Sequence, residues 1–392
     1  MSEPLVILGA SARAAAFSAL RAGLLPWSAD LFADADLARR CPARRVSNYP
    51  HGLVEAAFDA PAGPWMYTGA LENHPDLVDH IAATRPLLGN PGEVLRQVRN
   101  PWLVREALLA EGLPCPMLHT QRAHLPPGRW LRKPLHSAGG ARIELLEISD
   151  RSHSEHEPPG DLTAASRYYQ QYIEGTPFSG VFIAAGGGAF LLGVTRQWVG
   201  APWCGARGFQ YAGSLGPVAL SAVKRQAWER LGNCLARRFS LVGLVGVDVV
   251  INAQGIYPVE VNPRYTASVE VLERGLNIAA LTLHMAACRE GRLPQLRLPA
   301  TTRFFGKAIL YARADGRGSE PFWQFVERSD HDAPWPVAAD LPHRGEPLLA
   351  GRPALTLFAD GTSEAEVEQR LQHQAKQVFA LLDEKSFGLN AL

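Results

Sequence analysis

Lysine, cysteine and long hydrophobic runs are all scarce in this 392-residue chain. The longest apolar stretch, Phe239 to Ile251, is shorter than the roughly 20 residues of a membrane span and contains Asp248. The apolar run near the amino terminus is too short for a secretory signal, and no basic residue precedes it. We therefore expect a soluble, cytoplasmic protein with no membrane partner.

The cysteines and the charges exclude further classes of protein. Five cysteines are scattered without a C-x-x-C pair, which is typical of reduced thiols and not of a disulfide framework or a zinc site. Lys and Arg number 39 against 38 Asp and Glu, so we expect no nucleic-acid partner. Because only five of the basic residues are lysines, a lysine within a motif stands out.

Length and residue pattern predict an α/β protein with more than one domain. At about 150 residues per domain, 392 residues correspond to between two and three domains. An apolar run at Leu5–Leu8, a turn at Gly9 and a helical stretch from Ser11 to Ala22 open the chain, and a second strand follows. This order is typical of a Rossmann-like sheet. Because the glycines do not form G-x-G-x-x-G, the loop with Ser11 is favoured as a contact for a small substrate over a dinucleotide site.

A second loop of interest follows a short predicted strand at Trp65–Thr68. This loop, GALENHP at 69–75, stands at the carboxyl end of the strand, where open α/β sheets bind their ligands. Glu72 is therefore a candidate substrate contact, with a solvated loop as the alternative. Further along, the pattern predicts a polar surface loop at 151–160 and one helix from Ala267 to Glu290.

The strongest chemical signal is the segment 244–264, LVGVDVVINAQGIYPVEVNPR. Two β runs flank Ala253-Gln254-Gly255, which predicts a three-residue hairpin loop with glycine in the left-handed third position. In that register Asn252 pairs with Ile256. Counted back along the strands, the same register places two carboxylates directly opposite each other.

These carboxylates are Asp248 and Glu260, and Asn262 shares their face of the strand pair because side chains alternate. Two facing carboxylates repel each other unless a cation lies between them. Two carboxylates and an amide oxygen are ligands that Mg²⁺ accepts, together with phosphate oxygens and water. Arg264 follows two residues later, where it could hold a phosphate or an acyl phosphate.

A second signal is the stretch WLRKPLHSAGG at 130–140. Here Lys133 ends an apolar strand and meets a turn that runs from Ser137 through Gly139 and Gly140. The amides of such a turn can cradle phosphates while the lysine supplies a point charge. The lysine precedes the glycines, so this is not a Walker A motif, and a plain hairpin turn remains the alternative.

A third signal is the extended segment QQYIEG at 170–175. Its backbone amides and carbonyls could bind the edge of an adenine, although an ordinary edge strand has the same appearance. The residues concerned are Gln170, Gln171, Tyr172, Ile173 and Glu174.

Taken in chain order, the three motifs resemble the ATP-grasp superfamily over about residues 99–300. The metal motif VEVNPR, with an aspartate twelve residues before its glutamate, matches closely, and the other two match loosely. The resemblance implies an α/β fold, α+β in parts. It also divides the chain into a Rossmann-like pre-ATP-grasp domain (1–98), a small ATP-grasp subdomain (99–178), a large subdomain with the metal site (179–298) and a small carboxylase-like C-terminal domain (299–392).

The resemblance further implies ATP and Mg²⁺ as cofactors, with two ions expected and Mn²⁺ as the alternative metal. Lys133 is expected to contact the nucleotide phosphates, and the turn from Ser137 to Gly140 to close over them. The Gln171 carbonyl and the Ile173 amide are expected to bind adenine. The implied metal ligands are Asp248, Glu260 and Asn262, and the implied stabiliser of the transferred phosphoryl group is Arg264.

Two positions depart from the family's pattern. Pro177 stands about where the family's hinge carries an acidic residue for the ribose hydroxyls, and Glu174 is a candidate substitute. The usual earlier lysine, ahead of the predicted helix at 102–111, is absent, with Arg99 nearby. The groups that hold the ribose and make the first phosphate contact are therefore left open.

The implied function is that of an ATP-dependent ligase, which joins a small carboxylate to an amine through an acyl phosphate. The acceptor is expected between the N-terminal loops with Ser11 and Glu72 and the segment 195–217. Candidates in that segment are Arg196, as a catalytic residue, and Tyr211 and Ser214. The family is often dimeric, which allows a homodimer here.

A narrower resemblance rests on LVILGASARAAAFSALRAG, WMYTGALENHP and the start of the helix after Asn-Pro-Arg-Tyr. These stretches are similar to ATP-grasp proteins of one-carbon cofactor pathways in methylotrophs, which are relatives of tyramine–glutamate ligases. This similarity implies a role in methanofuran-, methylofuran- or tetrahydromethanopterin-type cofactor biosynthesis.

Two other functions remain open. A carboxylase-like enzyme that activates bicarbonate is favoured by the C-terminal segment, in which the role of Lys307 is undecided. A regulator that binds ATP without turnover is favoured by Pro177 and the missing lysine, and is disfavoured by the complete set of metal-site residues.

Overall fold

The structure is a computed structural model that describes residues 3–149, 167–299, 302–329 and 335–383. The polar loop predicted at 151–160 lies outside these ranges. Among the helices within them, none combines the length and the apolar character needed to cross a membrane.

The first sheet is parallel and is formed by the start of the chain. Its strands are β1 (Pro4–Leu8), β2 (Leu25–Asp30), β3 (Ala43–Arg45) and β4 (Trp65–Tyr67), in the order β3-β2-β1-β4. The helices of this region are α1 (Arg13–Arg21), α2 (Ala35–Arg40), α3 (Gly52–Asp59), α4 (Pro75–Ala82) and α5 (Gly92–Val98). The central strand β1 is almost entirely buried, as its apolar run predicts. The Rossmann-like start of the chain is confirmed.

The second sheet is antiparallel and carries the predicted lysine strand. It follows helix α6 (Pro101–Ala110), which begins after Asn100 because the Asn100 side chain accepts a hydrogen bond from the Trp102 amide (3.0 Å). The strands are β5 (Leu118–His119), β6 (Gly128–Pro134), β7 (Glu144–Ile148) and β8 (Arg167–Gln171), in the order β5-β8-β6-β7.

The third sheet holds the predicted metal hairpin. Its strands are β9 (Thr176–Ala185), β10 (Gly188–Val199), β11 (Tyr211–Gly216), β12 (Gly243–Asn252), β13 (Gly255–Asn262), β14 (Phe304–Tyr311), β15 (Ala338–Ala339) and β16 (Pro353–Gly361). Their order is β13-β12-β9-β10-β11-β14-β16-β15. The C-terminal strands therefore continue the sheet of the central region. The helices are α7 (Ala222–Phe239), α8 (Ala267–Leu276), α9 (Ala280–Glu290), α10 (Glu320–Arg328) and α11 (Glu364–Asp383).

The single helix predicted from Ala267 to Glu290 is wrong, because two helices occupy this range. Helix α8 ends at Leu276, and the next residue, Asn277, adopts a left-handed conformation with φ of 50°. The buried carboxylate of Glu273 then accepts a hydrogen bond from the Ala280 amide (2.8 Å) at the start of α9. A tertiary contact of this kind has no signature in the hydrophobic periodicity.

The layers share hydrophobic cores. Helix α7 packs on one face of the third sheet, where Trp228 and Leu235 meet Phe182. Helices α8 and α9 cover the other face together with α1 of the first sheet, so that Leu272 and Ala15 belong to one core. The N-terminal sheet is thereby held close to the end of the metal hairpin.

Candidate active site

A cavity of about 580 Å³ lies between the second and third sheets. It is lined by side chains from β6, β8, the glycine turn, β12 and β13. The residues predicted from sequence that it brings together are Lys133, Gly139, Gly140, Gln170, Tyr172, Ile173, Tyr211, Asp248, Glu260, Asn262 and Arg264. Residues far apart in the sequence thus meet around a space of the size of a nucleotide-binding cleft.

The hairpin of β12 and β13 has a different turn from the one predicted. Asn252 pairs with Gly255, so the loop has two residues and the prediction of a three-residue loop is wrong. A bulge then compensates for the shift, because Val249 pairs with Pro258 and Asp248 with Glu260, which leaves Val259 unpaired. Proline has no amide hydrogen to give to the ladder, which favours a bulge at this point.

The predicted pairing of Asp248 with Glu260 is therefore confirmed. Asp248 accepts two hydrogen bonds from amides, one from Asn262 Nδ2 to Oδ2 (3.0 Å) and one from Gln197 Nε2 to Oδ1 (3.0 Å). Burial, and then the neighbouring carboxylate of Glu260, raise the pKa of Asp248 to about 6. An added cation at this carboxylate would relieve that repulsion.

Glu260 is compensated by an arginine that the sequence motifs did not include. Arg99 donates to Glu260 Oε1 (2.9 Å) and to the carbonyl of Val261 (3.1 Å), and little of its side chain is exposed. Burial opposes the charged form of Glu260, but Arg99 and then Lys133 overcome it and lower its pKa. Arg99 precedes helix α6, so it supplies a cation near the place of the missing lysine. The only signal for it in the sequence is its position just before the Asn-Pro that starts α6.

The donor set fits a magnesium ion. Two carboxylates and one amide oxygen from Asp248, Glu260 and Asn262 stand on one wall of the cavity. In the described part of the chain, no three His, Cys, Asp or Glu side chains form a metal-binding group. A metal here would therefore depend on further oxygens from phosphate and water, which is usual for Mg²⁺.

Lys133 reaches the cavity from the opposite sheet. Its ammonium group donates to the carbonyl of Val259 (3.1 Å) and to Gln170 Oε1 (3.3 Å), and only 8% of the residue is exposed. Because Val259 is the unpaired residue of the bulge, its carbonyl is available to this lysine. The bulge thus ties the lysine strand to the carboxylate hairpin.

The glycine turn lines the cavity and is held from two sides. Asn73 of the N-terminal loop donates to the Ser137 carbonyl (3.1 Å), and the Tyr211 amide donates to the Gly139 carbonyl (3.2 Å). Gly140 has φ of 77°, and a β carbon built there would stand 1.7 Å from the Phe209 carbonyl oxygen. Only glycine allows this approach. Ser137 faces a smaller cavity of about 60 Å³ behind Lys133.

Arg264 is fixed by the N-terminal region. Its Nε donates to Glu72 Oε1 (2.8 Å), and one of its terminal nitrogens donates to Asn262 Oδ1 (3.2 Å). The Glu72 side chain is only 1% exposed. The loop GALENHP is therefore a buried partner of the metal hairpin and not a solvated loop.

Several predicted residues lie outside the larger cavity. Arg196 pairs with Glu364 and Glu368 of α11, the latter at 2.7 Å, and so faces away from Asp248. Ser11 is exposed at the end of β1. The remaining three do not line the cavity with their side chains: Gln171 accepts from the Met117 amide, Glu174 is exposed, and Ser214 is buried against Tyr211.

Comparisons with known proteins bear on the fold. Residues 98–268 match the ATP-grasp domain family. An L-amino acid ligase from Bacillus licheniformis superposes with a TM-score of 0.68 at 16% identity, over 96% of this chain and 97% of that chain. The biotin carboxylase domain of a 2-oxoglutarate carboxylase from Hydrogenobacter thermophilus, solved with MgADP and bicarbonate, has a TM-score of 0.68 at 11% identity, over 95% and 89% of the two chains. The chain has the ATP-grasp fold, and its residues 98–268 match the ATP-grasp domain family, as the sequence motifs predict.

A relative is also found by sequence. An uncharacterized protein of Methanocaldococcus jannaschii is 26% identical over 231 residues. The match spans 58% of this chain and half the length of that protein. The two structural similarities show the fold alone. The activity of this chain is therefore inferred from the residues of its own site.

Proposed function

We propose that this protein is an ATP- and Mg²⁺-dependent ligase that joins a carboxylate to an amine through an acyl phosphate. One observation carries the proposal: Lys133 and the Asp248, Glu260, Asn262 and Arg264 set face each other across a single cavity. The cations of this set can bind the phosphates of a nucleoside triphosphate, and the carboxylates can bind its metal ion. An apolar ligand would need neither.

In this proposal, three parts of the cavity bind the nucleotide. Its base lies on the hinge, residues 170–175, where Tyr172 and Ile173 line the cavity. Its phosphates extend toward Lys133 under the glycine turn, whose amides surround them. Arg99 and Lys133 together supply the positive charge at this end, and Arg99 takes the role of the earlier lysine.

The reaction is driven by position and charge. A substrate carboxylate attacks the γ-phosphate of ATP, ADP leaves, and an amine then displaces phosphate from the acyl phosphate. Arg264 offsets the negative charge that develops on the transferred group, and Glu72 keeps its guanidinium in place. Mg²⁺ held by the carboxylate wall would neutralise phosphate charge. No side-chain nucleophile is needed, and none of the five cysteines lines the larger cavity.

The acceptor is placed at the end of the cavity away from the hinge. Tyr211 and Ser268 line the cavity, and a chain of hydroxyls joins Tyr211 to Ser214 (2.7 Å) and Ser214 to Ser268 (3.3 Å). Burial raises the pKa of Tyr211, so its hydroxyl stays protonated and can donate to a substrate. These hydroxyls can bind a polar substrate beside Arg264.

Finer features of the proposal stay predictions. They are a place in methanofuran-, methylofuran- or tetrahydromethanopterin-type cofactor biosynthesis, two metal ions, a homodimer, a cytoplasmic location, no nucleic-acid partner, and domain boundaries near residues 98, 178 and 298.

The proposal is tested by ADP release from Mg²⁺-ATP with amino acids and aromatic amines added in pairs. We expect ADP only when one acid and one amine are present together, with the coupled product detected by mass spectrometry. Mn²⁺ in place of Mg²⁺ should support the same reaction, and EDTA should stop it. ADP release with an acid alone and no coupled product would contradict ligation.

A second candidate function is activation of bicarbonate. The likeness of the fold to a biotin carboxylase domain over 95% of this chain favours it. Bicarbonate-dependent ADP release, without any amine, would replace the ligase proposal with this one. A third candidate, a regulator, requires tight ATP binding with no turnover under any of these conditions.

A further inference from the structure

The floor of the cavity between the hinge and the carboxylates has few polar side chains. Strand β9 runs from the hinge toward the metal wall, where Pro177 pairs with Val250 and, two residues later, Ser179 pairs with Asp248. A nucleotide with its base on the hinge and its phosphates near Asp248 therefore lays its ribose across Pro177 and Val250. Neither of these two side chains can form a hydrogen bond with a sugar hydroxyl.

Gln197 is a polar side chain beside this stretch. It lies on β10, which is antiparallel to β9 and in which Arg196 pairs with Phe178. The next residue, Gln197, is therefore opposite Pro177 in this register. It lines the cavity, whereas the Arg196 side chain points to α11. Its Nε2 donates to Asp248 Oδ1 (3.0 Å), and this hydrogen bond does not use the acceptor end of the amide, Oε1. Within the described ranges, no group donates to Oε1.

The sequence suggested Glu174 as the residue that binds the ribose, but Glu174 is not in a position to do so. Its side chain is exposed and does not line the cavity. Its carbonyl accepts from Asn252 Nδ2 (2.9 Å) at the turn of the β12–β13 hairpin. Glu174 therefore belongs to the outer surface of the hinge.

We propose that Gln197 binds the ribose of ATP, with Oε1 accepting a hydrogen bond from a ribose hydroxyl while Nε2 holds Asp248. The amide can serve both partners because it has a donor end and an acceptor end. Gln197 would then both bind the sugar and orient the carboxylate of Asp248. This inference rests on the proposed function, since it requires the nucleotide to lie along β9.

The test compares the binding of Mg²⁺-ATP, 2′-deoxy-ATP and 3′-deoxy-ATP by titration calorimetry. We expect the wild-type protein to prefer ATP to at least one deoxy analogue by about three- to tenfold, the usual effect of one neutral hydrogen bond. In Gln197→Leu this ratio should fall to about one. Gln197→Glu retains an acceptor and should retain the preference. Gln372→Leu, an exposed position on α11, should behave as the wild type.

The ratio of the affinity for ATP to the affinity for a deoxy analogue distinguishes ribose binding by Gln197 from an effect on Asp248 alone. If Gln197→Leu weakens all three nucleotides equally and keeps the wild-type ratio, Gln197 acts only on the carboxylate and the inference is wrong. A wild-type protein that binds ATP and both analogues equally also overturns it, while leaving the ligase proposal intact. A wild-type protein that binds none of the three refutes the proposed function, and this inference with it.

Discussion

At the scale of single residues, Asp248 and Glu260 face each other but have opposite electrostatic environments. Burial and the neighbouring Glu260 raise the pKa of Asp248 to about 6, whereas Arg99 and Lys133 lower the pKa of Glu260. Glu260 therefore stays charged in the absence of a metal. The charge that a metal would stabilise most is that of Asp248.

We predict that Glu260→Gln lowers Mg²⁺-dependent ADP release by at least about 100-fold, because a metal ligand is lost and Arg99 loses its counter-charge. Mg²⁺-ATP affinity measured by calorimetry should fall in parallel. The matched control is Glu93→Gln, an exposed glutamate on α5, which should have wild-type kinetics. Unchanged ADP release in Glu260→Gln would show that Glu260 is not a ligand of Mg²⁺.

At the scale of elements, the site depends on a bulge and a turn. The bulge at Val259 keeps Asp248 opposite Glu260 although the hairpin loop is one residue shorter than predicted, and it presents a carbonyl to Lys133. The glycine turn contacts the segment before β11 closely at Gly140. Both features bring backbone atoms, and not side chains, into the site.

We predict that Gly140→Ala weakens Mg²⁺-ATP binding by about tenfold or more, because a β carbon collides with the Phe209 carbonyl and the turn must move away from the phosphates. Nucleotide titration of the variant gives the measurement. Gly345→Ala is the control, since Gly345 has φ of 81° but nothing within 4 Å of an added β carbon. It carries similar backbone strain, of about 1–2 kcal/mol, away from the site. Equal nucleotide affinity in both variants would contradict a role for the turn in phosphate binding.

At the scale of the whole molecule, a buried ion network joins three regions of the chain. Arg13 of α1 forms ion pairs with Glu270 of α8 and with Asp340 (2.8 Å), and Lys307 of β14 pairs with Glu270 (2.8 Å). Burial opposes ionisation of Glu270, but Arg13 and then Lys307 hold its pKa well below the ordinary value. Lys307 is therefore engaged with the network, outside the larger cavity.

We predict that Glu270→Gln lowers the free energy of unfolding by about 3–5 kcal/mol, because two buried cations lose their shared partner. Urea unfolding followed by circular dichroism measures the change. Glu320→Gln serves as the comparison, since its pair with Arg344 is exposed and should contribute at most about 1 kcal/mol. Similar losses in the two variants would mean that the network does not hold the regions together.

His284 makes the stability of the folded chain depend on pH. It accepts a hydrogen bond from the Leu244 amide of β12 (2.9 Å), and its other ring nitrogen lies 3.2 Å from the Leu88 carbonyl of the N-terminal region. Burial lowers the pKa of His284 to about 4, below the ordinary value of about 6.5. The unfolded chain therefore binds more protons than the folded chain between about pH 6.5 and pH 4.

We predict that the stability contributed by neutral His284 is fully present above about pH 6.5 and is lost as the pH falls toward 4. The loss amounts to at most about 1.4 kcal/mol per pH unit. Urea unfolding of the wild type and His284→Gln at several pH values measures it, and the variant should show a shallower decline. Parallel declines in the two proteins would assign the acid sensitivity to other groups.

The sequence by itself determined the parts of this protein that depend on local pattern. The buried run of β1 and the shared face of Glu260 and Asn262 follow from apolar runs and side-chain alternation between residues that lie close together in the chain. The pairing of Asp248 with Glu260 was also predicted, but it holds because the bulge at Val259 offsets the shorter turn. The motif order also determined the ATP-grasp fold. Chemistry carried by neighbouring residues is visible in sequence because backbone geometry relates such residues directly.

The tertiary structure alone decided which distant groups complete the site. Arg99 lies 161 residues before its partner Glu260, and Glu72 lies 192 residues before Arg264. The bulge at Val259 and the break between α8 and α9 also depend on contacts with other segments. No local pattern encodes these contacts, because the free energy of burying a charge depends on which opposite charge the fold brings beside it.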